Sequence, residues 1–393
     1  MKTAKFNKNK NKNEHSNNTK KKTIKKCSKI PAEFKNITAI VSTNAVKKNL
    51  QYLKRKSGTD VMPVLKANAY GHGIVEMAKI CRRLHVKHIG VATIGEAIQI
   101  RNSGDKGRIL AWLYDVHSDQ VKDAVAQNID IGIFNAAHIP IISKSLPKHS
   151  VANVHLFVDT GIDRNGVPHA EAIDAAIQIS NDPKFKLVGL MTHLCCAETK
   201  NNAITNEQFR LFRKLRQDLL DRNIDPELVH ISATNGILNY DNSDFTLVRS
   251  GSGFYGIEDH KNLTPILSLS TIIIQLKHIH KGEGVGYDRK YIAHANKFIG
   301  IVPIGYADLI PLTPSEKLCV FVNGTKRKVL GLESMDQIVI EAKKGDRMGD
   351  KVHLFGDKKR GRNQSLHDFA REGSTTPFNV ITHMGERVDI QYV

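Results

Sequence analysis

The sequence predicts an α/β protein: a (β/α)8 barrel, then a mostly β domain, preceded by a disordered basic tail. Three observations carry this expectation. Between residues 36 and 250, short β-branched apolar runs alternate with helical patterns. From about residue 260 the helical periods give way to strand-like runs separated by Gly, Asn and Asp turns. The first thirty residues hold 11 Lys and a single acid, Glu14, with few apolar side chains. The division that follows is a tail over 1–33, a barrel over 34–258 and a β domain over 259–393.

The tail comes first. It carries about +10 of the formal charge of +19 on 393 residues, so half the basicity sits in a Lys/Asn-rich leader. Too little apolar surface exists there to offset the entropy of ordering. It lacks the apolar stretch of a secretory signal, and the first arginine is Arg55, which argues against an amphipathic transit peptide. A solvated leader is the plain expectation; the functional alternative is a tail that binds RNA, DNA or anionic lipid.

In the barrel segment, the apolar runs fall at residues 37–42, 61–67, 88–93, 108–113, 129–134, 151–159, 186–193 and 228–232. Their near-continuous apolarity suits strands buried on both faces. Between them lie helical patterns such as 203–221, where Phe209, Phe212, Leu215 and Leu219 form one stripe and Thr205 and Gln208 stand at capping-box spacing. Eight strand–helix units fit a closed barrel better than an open sheet.

In the β segment, runs at 266–279, 297–303, 318–322, 328–330, 337–340 and 351–354 read as strands, and Asn323-Gly324 marks a hairpin. No run approaches 18 apolar residues, which excludes a membrane-spanning helix. Five cysteines, two of them adjacent and none in C-x-x-C spacing, argue against a structural zinc site and point to a reducing, cytoplasmic setting.

Chemistry in a barrel gathers at the C-terminal ends of strands. Lys66 closes the apolar run Val61-Met62-Pro63-Val64-Leu65 and precedes the small, turn-like Ala67-Asn68-Ala69-Tyr70-Gly71-His72-Gly73. It is either a solvated strand-end charge or a desolvated amine with lowered pKa, able to condense with a carbonyl. Gly251-Ser252-Gly253-Phe254-Tyr255-Gly256 matches G-x-G-x-x-G, but no acid follows at the spacing a dinucleotide site requires. Such a loop still presents backbone N–H groups to a single phosphate. Arg249 stands just before it. Tyr287 lies in a Gly-rich turn, either as a packing residue or as an acid or base near a cation. His193 and His230 end apolar runs, where satisfied core histidines are the plain reading. No metal-helix motif is present.

Taken in order, these segments resemble alanine racemase, a pyridoxal 5′-phosphate (PLP) enzyme family. The similarity runs from Val64-Leu65-Lys66-Ala67-Asn68-Ala69-Tyr70-Gly71-His72-Gly73 through Asp159-Thr160-Gly161-Ile162-Asp163-Arg164 and Met191-Thr192-His193. It continues through Val248-Arg249-Ser250-Gly251, Gly286-Tyr287, Ile304-Gly305-Tyr306-Ala307-Asp308 and Ser334-Met335-Asp336-Gln337.

The resemblance implies a PLP-binding barrel, a small amino-acid substrate, and a homodimer whose active sites are shared between subunits. Lys66 would hold the cofactor and act as one base, with Tyr287 of the partner subunit as the other. Arg249 would face the pyridine nitrogen, backed by His230, with His193 also at the cofactor. Tyr70, Thr234, Gly251 and Ser252 would bind its phosphate. Arg164 would hold the substrate carboxylate, with Met335 and Tyr306 at the mouth. The implied activity is interconversion of L- and D-alanine for peptidoglycan.

Four departures stand near the implied pocket. Phe157 occupies the place of a lysine that is carbamylated in many members, and Phe378 that of a tyrosine near the phosphate. Leu309 stands where glycine is usual, and Glu333-Ser334 where smaller or apolar residues are common. They motivate an alternative, a racemase of broader range that accepts serine or basic amino acids. Two other classes compete: decarboxylation of basic amino acids, whose related family places an acid where Arg249 stands, and a non-catalytic nucleic-acid binder acting through the tail. Outside the tail, no membrane or nucleic-acid partner is expected.

Overall fold

The computed structural model describes residues 36–312, 317–356 and 363–393; the expected tail lies outside the described residues. Eight parallel strands form the barrel: Asp60–Pro63, His88–Thr93, Arg108–Leu113, Asp130–Ile133, Ala152–Asp159, Phe185–Met191, Leu228–His230 and Leu247–Ser250. Six of them pair in sequence from His88–Thr93 to Leu228–His230. The remaining two pair with each other, in the register Leu247↔Asp60 to Ser250↔Pro63. Closure comes from a Val64↔Gly90 bridge on one side, and from Thr246 N donating to Val229 O (3.1 Å) and Arg249 N to Ser232 O (2.9 Å) on the other.

One strand assignment is corrected. Ile37–Val41 is not a barrel strand: it pairs antiparallel with Leu267–Ile272 and parallel with Val388–Tyr392 in the β domain. Its alternating burial is that of a strand with one wet face. The eighth barrel strand is Leu247–Ser250, four residues buried throughout.

Local signals explain several boundaries. Ser42 ends the first strand and caps the helix Thr43–Ser57, which stops at Gly58 in a left-handed conformation (φ 72°). The helix Ala203–Leu220 buries the Phe209, Phe212, Leu215 and Leu219 stripe as expected. Its cap, however, is Asn202, whose side chain accepts from Ile204 N and Thr205 N. Thr205 and Gln208 are buried instead of capping the helix.

The β domain holds a six-stranded sheet in the order Thr325–Lys328, Cys319–Val322, Lys351–Phe355, Leu267–Ile272, Ile37–Val41 and Val388–Tyr392. A second sheet joins Gln275–Ile279, Lys297–Val302 and Ile338–Ala342. Asn323 and Gly324 turn the expected hairpin with φ of 50° and 74°, the pair of positive angles that matches strand twist. Strand pairing extends over Thr325–Lys328 where the sequence suggested 328–330. Among the described residues, no helix is long and apolar enough to cross a membrane.

Candidate active site

The site begins where the strand Asp60–Pro63 runs out. Ala67, Asn68, Ala69 and Tyr70 all have φ between 51° and 56°, one left-handed turn made by four residues that carry a Cβ. Each such residue costs roughly 1–2 kcal/mol relative to a right-handed turn, so the turn persists only because its surroundings hold it. Ala69 N donates to Leu65 O (2.8 Å) and Gly71 N to Ala67 O (3.0 Å). Ala67 N donates to Glu96 Oε1 (2.6 Å) and Ile74 N to Asn68 Oδ1 (2.8 Å). Buried His72 reaches Ala69 O and Tyr70 O through Nδ1 at 2.9 and 2.8 Å. Gly71 is required here, because a Cβ on it would lie 1.9 Å from Ile381 O. Lys66 thus stands between the strand end and this turn, in the lining of the barrel mouth.

That mouth is a cavity of about 490 Å³. Lys66, Tyr70, Arg164, His193, Arg249 and Gly251 line it, against apolar walls from Trp112, Leu113, Phe134, Phe157 and Met191. Solvent reaches Lys66 through the opening. Even so, burial among the walls, with Arg164 adding to it and Glu96 opposing, lowers its pKa from the ordinary lysine value. Burial, then the nearby Arg249, Arg164 and Lys66 charges, bring His193 down to about 3, so it is neutral at physiological pH.

Arg249 crosses the cavity floor from the strand Leu247–Ser250. Its terminal nitrogens donate to His230 Nδ1 (2.8 Å), His230 O (2.9 Å), Thr192 O (2.6 Å) and Ile231 O (3.0 Å). None of these acceptors is a carboxylate, and none engages Nε. Burial lowers its pKa to about 10, which leaves it cationic at neutral pH.

At the far end, Thr234 Oγ1 accepts from Gly253 N (3.0 Å). Cβ atoms on Gly251 and Gly253 would stand 2.5 Å from Tyr70 Oη and 2.6 Å from Thr234 Cγ2, so this loop requires glycine. Burial first, then the Glu258 carboxylate, push the Tyr70 phenol up to about 12, keeping it a donor. Ser252 Oγ donates to Glu258 Oε1. The G-x-G-x-x-G match is followed by turns, not by a helix.

The comparisons agree with this geometry. The model of the alanine racemase N-terminal domain matches residues 41–259, and that of the C-terminal domain residues 266–392. The chain belongs to the alanine racemase family. It is 31% identical to the alanine racemase of Thermobifida fusca over 367 residues, which is 90% of this chain and 97% of that protein. The solved alanine racemase of Streptomyces coelicolor A3(2), 27% identical, superposes with a TM-score of 0.85, covering 92% of this chain and all of that one. That of the D-cycloserine-producing Streptomyces lavendulae, 28% identical, gives 0.82, covering 91% and 97%. The chain is an isomerase of this family, and its membership supports alanine racemase activity.

The cavity gathers Lys66, Tyr70, Arg164, His193, Arg249 and Gly251, with Thr234 and Ser252 beside the last and His230 behind Arg249. Three expected alanine racemase residues stay outside it within one chain. Tyr287, Met335 and Tyr306 lie on the β domain with exposures of 70%, 52% and 40%. Tyr306 and Met335 sit on two joined loops, because Tyr306 N donates to Ser334 O (3.1 Å) and Ala307 N to Met335 O (3.1 Å).

The four departures each have a visible setting. Phe157 is buried with Met62, Leu110, Met191, Leu228 and Leu247 in an apolar layer under the cavity. Phe378 packs near Tyr70, ring centroids 6.2 Å apart. Leu309 takes φ 128°, a conformation suited to glycine, while buried. Glu333 is also buried.

Sequence reasoning missed Glu96, Glu258, Trp112 and Phe134. Glu96 was legible: Thr93 and Glu96 form a capping box at the standard spacing, and the same carboxylate holds the lysine turn.

Proposed function

We propose that this chain interconverts L- and D-alanine with PLP, supplying D-alanine to peptidoglycan. The observation that carries the reading is the cavity's lining: a lysine of lowered pKa shares it with a buried arginine that has no carboxylate partner among the described residues and with a glycine loop flanked by neutral hydroxyls. These residues fit PLP. Tyr70, Thr234, Gly251 and Ser252 would hold its phosphate, Arg249 Nε its ring nitrogen, and Lys66 its aldehyde carbon. When bound, the cofactor supplies an electron sink that acidifies the Cα–H of the amino acid. Arg249, cationic at neutral pH, would keep the ring nitrogen unprotonated when the cofactor is bound, which would limit transamination. Arg164 clamps the substrate carboxylate with its planar fork.

Racemisation needs a base on each face of Cα. Lys66 Nζ serves one face and Tyr287 Oη of the partner subunit the other, so the working unit is a homodimer. The exposed Tyr287, Tyr306 and Met335 support this, since they stand on a surface without a role inside one chain.

The test is direct. Borohydride treatment after PLP loading should add the mass of pyridoxyl phosphate to the peptide carrying Lys66, and the loaded protein should form D-alanine from L-alanine. Label on another lysine, or full racemase activity in Lys66→Ala, overturns the assignment.

A second reading, broader range over serine and basic amino acids, is favoured by Phe157. No acidic partner of Arg164 stands among the described residues, and the layer beneath it is apolar. Rates on alanine, serine, lysine and arginine decide; a hundredfold preference for alanine ends this reading.

A further inference from the structure

Behind Arg249 a polar chain enters the barrel interior, where apolar layers are the rule. His230 Nε2 lies 2.9 Å from His155 Nδ1. His155 Nε2 lies 3.3 Å from Asp130 Oδ2. That oxygen also accepts from Arg108 Nε at 2.6 Å, and Arg108 reaches Glu227 at 3.1 Å near the opposite rim. His155 and His230 are wholly buried.

The donors and acceptors along this chain are determined by its ends. A guanidinium only donates, so His230 Nδ1 accepts from Arg249, and the neutral ring carries its proton on Nε2. That proton points at His155 Nδ1, which accepts. His155 therefore carries its proton on Nε2 and donates to the Asp130 carboxylate. Reasoned from Asp130 instead, the polarity is the same: a carboxylate accepts, so His155 must present Nε2–H to it.

Burial and the Arg249 charge hold His230 well below the ordinary histidine pKa. Burial works against ionisation of Asp130, but His155 and Arg108 outweigh it and keep the carboxyl below its usual value. The backbone makes room for this arrangement: a Cβ on Gly189 would fall 2.1 Å from His155 Nδ1, and the register shifts between Val154 and His155.

We propose that His155 and Asp130 are positioning residues for the racemase site, locking His230 in its Nε2–H tautomer. A locked His230 offers Arg249 a lone pair and never a competing proton. Arg249 is then held through its terminal nitrogens, and none of these acceptors takes up Nε. The reversed tautomer would set N–H against N–H and drive the guanidinium from this position. The consequence for turnover rests on the PLP reading; the tautomer lock itself does not.

The test uses selectively ¹⁵N-histidine-labelled protein without cofactor, the His230 signals being assigned by their loss in His230→Asn. Wild type should show His230 neutral and protonated on Nε2. A proton on Nδ1, or a doubly protonated ring, overturns the proposal, whatever becomes of PLP binding. In the loaded enzyme, His155→Phe removes the acceptor for His230 Nε2–H and should lower kcat about tenfold with KM little changed. His155→Gln keeps an acceptor toward His230 and a donor toward Asp130, and should restore most of the loss. Equal kcat in wild type and His155→Phe, or no difference between the Phe and Gln variants, overturns the positioning role. Failure of wild type to bind PLP would instead sink the cofactor reading and leave the tautomer result standing.

Discussion

Acid should destabilise this fold well before its carboxylates titrate, through two buried histidines. His72 is 1% exposed and His230 0%. His72 Nδ1 contacts two carbonyls, so that nitrogen carries the proton of the neutral ring and a second proton would have to be buried on Nε2. Burial outweighs the help of those carbonyls and brings its pKa down to about 4. His230 faces Arg249, and burial together with that charge holds it well below its ordinary value.

An unfolded histidine titrates near 6.5. Both folded values lie lower, so the unfolded chain takes up protons first as pH falls. The contribution is fully present above about pH 6.5 and is lost progressively below it. Between about pH 6 and 4.5 each histidine costs roughly 1.4 kcal/mol per pH unit, so the pair removes about 2.7 kcal/mol per unit. Against a total stability on the order of 5–15 kcal/mol, two units suffice to approach unfolding. Urea midpoints followed by far-UV circular dichroism at constant ionic strength, from pH 7.5 to 5, measure the slope. His193, held at about 3, adds to the same slope, so His72→Gln should remove roughly 1.4 kcal/mol per pH unit, a third of it or less. Stability that stays flat from pH 6.5 to 5 would refute the argument.

Other expectations follow from the site. Lys66→Ala should abolish racemisation while leaving circular dichroism and thermal stability near wild type, because the left-handed turn begins after it. Ala67→Gly should gain about 0.5 kcal/mol in denaturant unfolding, since relief of the turn's strain exceeds glycine's entropic cost; a clear loss would mean that the turn is not strained. Glu258→Gln should tighten PLP binding severalfold in an absorbance titration, because its carboxylate rests on Ser252 at the phosphate end; unchanged or weaker binding would show that Glu258 helps hold the phosphate. Phe157→Ala should cost about 3–5 kcal/mol by hollowing the apolar layer beneath the cavity, as read from the shift in unfolding midpoint.

Much of this architecture was readable in the chain. Alternating apolar runs and helical stripes disclose a barrel because strands buried on both faces have little freedom of composition. The run at 37–42 misled because a short strand buried on one face looks much like one buried on both, and only pairing across more than 200 residues assigns the strand to the other domain. The site shows the same limit. Lys66, Arg249 and the glycine loop announce themselves by type and position. Glu258, Trp112 and the His155–Asp130 pair do not, because their meaning lies in what the closed barrel brings beside them. His155 is one polar residue within an apolar run until His230 appears 2.9 Å away.

The strand Ile37–Val41 also has a temporal consequence. Its neighbours in the sheet are Leu267–Ile272 and Val388–Tyr392. A ribosome adding about 5–20 residues per second therefore leaves this segment without its first partner for roughly 10–50 s, and without its second until Val388–Tyr392 has emerged. Through that interval an apolar ribbon with open edges trails from the growing barrel, inviting pairing with foreign strands. The clasp between Ile37–Val41 and Val388–Tyr392 is thus a late part of the fold to close during synthesis. Chaperone demand in the cell should track this wait more than the stability of the finished fold.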